Sequence, residues 1–110
     1  MKDNAPHGKK TFSERVVALA RSVPEGRVTT YGDLAKAAGG TLMASRSISS
    51  ILGKAYEQGI TDIHWHRIVY SNGKVWIDEK HAPERTRLYK NEGIELDMKG
   101  RIINFNDLRY

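Results

Sequence analysis

Cysteine is absent from all 110 residues, and that single absence removes disulfides, thiolate metal sites and thiol nucleophiles together. Also missing is any apolar run near the ~20 residues that a membrane span needs. The charged stretch Met1 to Lys10 lacks the apolar core of a secretory signal. A cytoplasmic location with no membrane partner is therefore expected. Acidic residues are in deficit: 13 Asp plus Glu against 18 Lys plus Arg leaves a formal net charge of +5, with a pI of about 9.6. Such a balance favours polyanionic partners, because each phosphate contact releases condensed counterions. It is a weak signal alone, since many small basic proteins bind no nucleic acid. With 39% apolar residues and a mean hydropathy of −0.56, one modest core is expected. The chain is too short for two ordinary domains, and it holds no internal repeat or low-complexity tract.

Residues 1–10 read as a flexible leader, and residues 11–110 as a single domain. Thr11-Phe12-Ser13-Glu14 fits a capping box. Phe12, Val16, Leu19, Ala20 and Val23 then share one helical face, and Pro24-Glu25-Gly26 ends the helix. A second, shorter helix is predicted from Tyr31 to about Ala38, with Thr30 as N-cap, Asp33 three residues on, and Gly39-Gly40 as the left-handed exit. A third runs from about Ala44 to Tyr56. The pair has the outline of a helix-turn-helix with a loose turn. Val69 to Trp76 reads as a hairpin about Asn72-Gly73, the pair suited to a type I′ turn. Pro83 and Gly93 bracket a polar helix from about Pro83 to Glu92. Ile94, Leu96 and Met98 alternate with charges before Lys99-Gly100, consistent with a short second hairpin. The predicted class is mostly α with short β-hairpins, a winged helix-turn-helix-like domain.

The third helix carries the first functional signal. Ile48, Ile51, Leu52 and Ala55 fall on a core-facing side, while Arg46, Ser49, Ser50 and Gly53 fall opposite. Ordinary major-groove readers carry several long polar side chains, and this face has one. Small residues suit close approach to a narrow groove, and a lone Arg can enter where a base leaves the stack. The plainer reading is a solvated Ser/Gly surface, and the helix alone leaves the two about even.

The segment Ile63-His64-Trp65-His66-Arg67-Ile68-Val69 decides more. It resembles the active-site motif of the O6-alkylguanine-DNA alkyltransferases, Pro-Cys-His-Arg-Val, with His64 at the proline, Trp65 at the cysteine, and His66, Arg67 and Ile68 in register. Pro24-Glu25-Gly26-Arg27-Val28-Thr29-Thr30-Tyr31-Gly32, the Arg46 segment and Asn91-Glu92-Gly93 fit the same family at family-like spacing. The resemblance spans about Thr11 to Leu96. Trp in place of the acceptor Cys marks the alkyltransferase-like proteins, which the family describes as binding alkylated guanine without repairing it.

The resemblance implies a minor-groove interface with small residues (Ser45, Ser49 and Ser50) on the reading element. It implies that Tyr31 rotates the target nucleotide out and that Arg46 fills the gap. Flipping is chemically sensible because O6 of guanine is hidden in a duplex. A lesion pocket of Tyr31, Trp65, His66 and Trp76 follows, with His66, Arg67 and Glu92 as a relay kept for structure. A lone Trp in a small domain is ordinarily core; its neighbours shift Trp65 toward stacking on a purine, whereas Trp76 fits hairpin core or pocket wall. Three departures stand out. His64 replaces proline, Ser replaces the family's Gly and Ala on the recognition helix, and Trp76-Ile77-Asp78-Glu79 places two carboxylates where related sensors often carry Arg or Lys.

His64 and His66 share a face on an extended segment, but no third ligand is evident. No metal and no cofactor are expected. The leading reading is a monomeric, non-enzymatic sensor that binds double-stranded DNA containing O6-alkylguanine and marks it for nucleotide-excision repair proteins. A helix-turn-helix transcription regulator of undamaged DNA ranks below, because no dimerisation helix and no long base-reading side chains are present. An enzyme using His66 and Glu92 as base and orienter ranks lower still.

Overall fold

The computed structural model describes residues 10–110; the expected leader, apart from Lys10, lies outside the described residues. Helix α1 (Phe12–Ser22) begins with the expected capping box: the Glu14 amide donates to the Thr11 hydroxyl at 3.1 Å, and the Thr11 amide donates to the Glu14 carboxylate at 2.9 Å. Strand β1 (Thr29–Thr30) leads straight into α2 (Tyr31–Ala37). There the Thr30 hydroxyl accepts from the Asp33 amide at 3.0 Å. The exit from α2 needs glycine twice. Gly39 has φ +93°, and a Cβ on Gly40 would lie 2.8 Å from the Phe12 ring, so α1 and α2 close on each other there.

The third helix starts later than the sequence predicts. Leu42–Ser47 is a 3₁₀ segment, and α3 proper is Ile48–Glu57. A 3₁₀ turn is a common lead-in to an α-helix, and no side chain caps the start of either segment. Ser45 and Arg46 therefore sit on the approach to α3, not within it. A second 3₁₀ turn, Trp65–Arg67, runs into β2 (Ile68–Val69). Strand β2 pairs in parallel with β1, Thr29 opposite Ile68 and Thr30 opposite Val69. Helix α4 (Ala82–Asn91) and the short α5 (Phe105–Leu108) complete the chain.

The small sheet divides two cores. Along β2 alternate side chains point to opposite faces. Ile68 joins Val16, Ala20, Leu34, Ile48 and Leu52 from the three N-terminal helices. Val69 joins Val28, Val75, Tyr89, Ile94 and Ile102.

Both expected hairpins reduce to minimal forms. At 70–74 the Gly73 amide donates to Tyr70 O at 2.8 Å and the Tyr70 amide to Lys74 O at 2.9 Å. Gly73 has φ +84°, and Asn72 is not left-handed. This is a three-residue loop closed by a glycine bulge, not the type I′ turn expected, which requires positive φ at both central residues. The 94–103 hairpin forms through a Leu96–Ile102 antiparallel bridge, with Met98 fully exposed at its tip.

Leu52 is completely buried in the three-helix core, whereas the Thr11 cap is solvent-exposed. Urea unfolding is expected to show Leu52→Ala costing about 2–5 kcal/mol and Thr11→Ala about 1 kcal/mol. Comparable losses for the two would contradict the assigned core.

Candidate nucleic-acid interface

One carboxylate organises the site. Glu92 follows α4, and its side chain is only 6% exposed. Arg67 donates to it from Nε at 3.0 Å to Oε1 and from Nη2 at 2.9 Å to Oε2. The Gly26 amide donates to Oε1 at 2.9 Å, and His66 Nε2 donates to Oε2. Burial works to raise the Glu92 pKa, but the Arg67, Gly26 and His66 bonds prevail and lower it to about 2. Arg67 also donates to Val23 O at 2.9 Å. The Tyr89 hydroxyl donates to His66 O at 2.5 Å, and burial pushes that phenol up to about 12. The residues before β1, the turn bearing Trp65 and the end of α4 are thus tied through charge-assisted bonds. His66, Arg67 and Glu92, grouped in sequence as a relay, do converge.

Above this floor lies an open cavity of about 650 Å³, lined by Tyr31, Ser49, Trp65, His66 and Trp76 together with Tyr56, Ile63, Tyr70, His81, Glu84, Arg85 and Leu88. Its size is within the range of small-ligand sites. Tyr31 starts α2 and lies 5.8 Å from the Tyr70 ring, centroid to centroid. Burial, then the neighbouring Tyr70, raises the Tyr31 phenol above its ordinary range, so it stays a neutral hydroxyl. Trp76 has the Arg85 guanidinium 5.4 Å from its ring centre and the tilted His81 ring at 5.5 Å.

All four expected pocket residues therefore line one cavity. Arg46 is exposed and Ser45 half-buried on the 3₁₀ segment, and neither lines this cavity. Ser49 opens into the cavity, but Ser50 opens into a separate groove of about 580 Å³ between α1 and α3. The two serines expected on one reading face thus lead to different surfaces. The acidic pair Asp78-Glu79 does not line the cavity. Asp78 accepts from the His81 amide at 2.8 Å and pairs with its Nδ1 at 2.7 Å, which occupies that carboxylate at the entrance to α4. Tyr70, His81 and Arg85 escaped the sequence reading. Arg85 shared one visible signal with Leu88, Tyr89 and Glu92: a stripe at helical spacing, disguised by its polarity. Among the described residues no three His, Asp or Glu side chains converge as a metal site. No helix among them is long and apolar enough to cross a membrane.

Residues 11–94 match the family model described as 6-O-methylguanine DNA methyltransferase, DNA binding domain. The chain belongs to this family. It is 34% identical over 92 residues to the DNA base-flipping protein of Escherichia coli, covering 84% of this chain and 69% of that relative. Identity to the DNA base-flipping protein of Vibrio parahaemolyticus is 31% over 91 residues, covering 83% and 88%. The fold superposes on S. pombe Atl1, solved with damaged DNA containing O6-carboxymethylguanine, at a TM-score of 0.67 and 23% identity, over 90% of this chain and 94% of that one. This methyltransferase-family chain has no cysteine anywhere, so thiolate attack on an alkyl carbon is closed to it.

Because the folded-state pKa of Glu92 lies below its ordinary 4.5, its pairing stabilises fully above that pH and is lost as pH falls toward about 2. Glu92→Gln is expected to lower the melting temperature at pH 7 and to flatten its fall between pH 4.5 and 2. Equal acid sensitivity in both proteins would remove Glu92 from the centre of the site.

Proposed function

We propose that this chain is a non-enzymatic sensor that turns O6-alkylguanine out of duplex DNA and holds it in the cavity between Tyr31, Trp65 and Trp76. The observation that carries the reading is an aromatic cavity of about 650 Å³ with an indole on its wall, in a methyltransferase-family chain that has no thiol. An indole is no nucleophile in neutral water, but it offers a flat face on which a purine stacks. Stacking of this kind contributes roughly 1–3 kcal/mol per base. The relatives named for base flipping and the fold shared with a damaged-DNA complex point the same way.

In this reading residues 11–110 act as one DNA-binding unit, monomeric and cytoplasmic. Tyr31 presses the phosphate beside the target, and Arg46 fills the vacated stack. Ser45 and Ser49 allow close approach in the minor groove, while Ser50, which opens into the groove between α1 and α3, takes no part. A pair weakened by O6-alkylation costs less to open, so the opening step itself selects damage. The His66–Arg67–Glu92 cluster is a scaffold, and no alkyl group moves. The bound protein is the signal, handed to nucleotide-excision repair proteins.

Fluorescence anisotropy at fixed salt, comparing duplexes with one O6-methylguanine or guanine at the same site, tests this. Tighter binding to the lesion is expected, with the preference lost in Arg46→Ala and Tyr31→Ala. Trp65→Ala is expected to weaken lesion binding by roughly 1–3 kcal/mol. Equal affinity for both duplexes would overturn the sensor reading and favour a regulator of undamaged DNA.

A further inference from the structure

The last sixteen residues lie beyond the family-model match, which ends at residue 94, yet they are stitched onto the strand that delivers Tyr31. The Val28 amide donates to Leu108 O at 3.0 Å, and the Tyr110 amide donates to Val28 O at 2.7 Å. Val28 and Arg109 thereby form a parallel bridge beside β1. Arg27 reaches back to Leu108 O at 3.0 Å and Arg109 O at 2.8 Å. From this edge Arg109 makes a two-pronged pair with Asp33 in the first turn of α2, Nε to Oδ2 at 2.7 Å and Nη2 to Oδ1 at 2.9 Å. Its guanidinium sits 5.4 Å from the centre of the Phe105 ring. Phe105 in turn packs on Gly73, where a Cβ would meet the ring at 3.1 Å. Gly73 closes the loop that begins at Tyr70, and Tyr70 is the ring beside Tyr31.

We infer that Arg109 is a positioning residue for DNA binding, neutralising Asp33 so that the start of α2 can approach a phosphate and holding the Tyr31–Tyr70 side of the cavity in place. The inference rests on the reading that Tyr31 meets the DNA backbone. Asp33 lies two residues beyond Tyr31, about 3 Å of helix rise. Although its side chain turns to the other side of the helix from Tyr31, an uncompensated carboxylate in this first turn lies on the order of the ~10 Å screening length of 0.1 M salt from a phosphate at Tyr31 and repels it at low salt. An exposed pair of this kind adds little to stability by itself. Its geometry is nonetheless specific: a planar fork on both carboxylate oxygens, backed by an aromatic face.

The test is a double-mutant cycle on the full chain, read by anisotropy on the O6-methylguanine duplex and on the plain duplex, with thermal melts in parallel. Arg109→Ala is expected to weaken binding to both duplexes about tenfold at about 50 mM salt, and by much less at about 0.5 M. Adding Asp33→Asn to Arg109→Ala is expected to recover most of that loss, although it cannot rebuild the ion pair. Asp33→Asn alone is expected to bind as well as the parent or better. A purely structural strut gives the opposite pattern, with the double variant no better than Arg109→Ala, or with Asp33→Asn alone weakened; either result overturns the inference, as does unchanged binding by Arg109→Ala. Because the readout is affinity for both duplexes, it stands apart from lesion preference. A parent protein with no preference would sink the sensor reading while leaving the Asp33 rescue to be judged on its own.

Discussion

The buried Glu92 carboxylate is the constraint on which the site depends. It draws bonds from Arg67, His66 and the Gly26 amide, and so fixes three stretches of chain that are far apart in sequence. Removing one partner of a buried pair leaves the other charge uncompensated, at a cost of about 3–5 kcal/mol. That exceeds what the exposed ion pairs, such as Arg21 with Asp62, supply. With no cysteine in the chain, the cluster has no thiol to polarise, and its bonds tie the three stretches together without one.

Given that scaffold, the cavity's character follows from what stands on it. Trp65 issues from the 3₁₀ turn whose next two residues bind Glu92. Tyr31 issues from the strand paired with β2. Trp76 contacts Arg85 and His81 of the α4 region. Each wall is thereby anchored through the cluster, the two-stranded sheet or α4. The rim is mixed in charge, with Arg85 opposed by Glu84.

Local signals were legible in the sequence. The Thr11 capping box, the Thr30 cap and the left-handed Gly39 depend on residues within four positions of one another, and each formed as read; Gly40 is not left-handed and is needed instead for the close approach of Phe12. What failed was non-local or disguised. The start of α3 shifted to Ile48 behind a 3₁₀ lead-in that no side chain caps, so no local capping signal marked it. The Asn72-Gly73 turn took a bulged form, with Gly73 alone left-handed, and Phe105, more than thirty residues away, packs on that glycine. Arg85 and Tyr70 were missed because hydrophobic periodicity cannot flag a polar inward stripe or an exposed strand-end tyrosine. The cluster of His66, Arg67 and Glu92 was legible only through family resemblance, since nothing in their spacing brings residue 92 to residue 66. The parallel docking of the C-terminal residues beside Val28 left no trace in local pattern at all.

Whether a purine enters the cavity can be read from Trp65 itself. In a Trp76→Phe background Trp65 is the sole indole, and its emission can be followed while a duplex with one O6-methylguanine is added under conditions where anisotropy reports saturation. Strong quenching with the lesion duplex and little with the guanine duplex is the expected result, since only a flipped base can stack on the indole. Saturated lesion binding with unchanged Trp65 emission would contradict the account, because the DNA would then be held on the surface with the pocket empty.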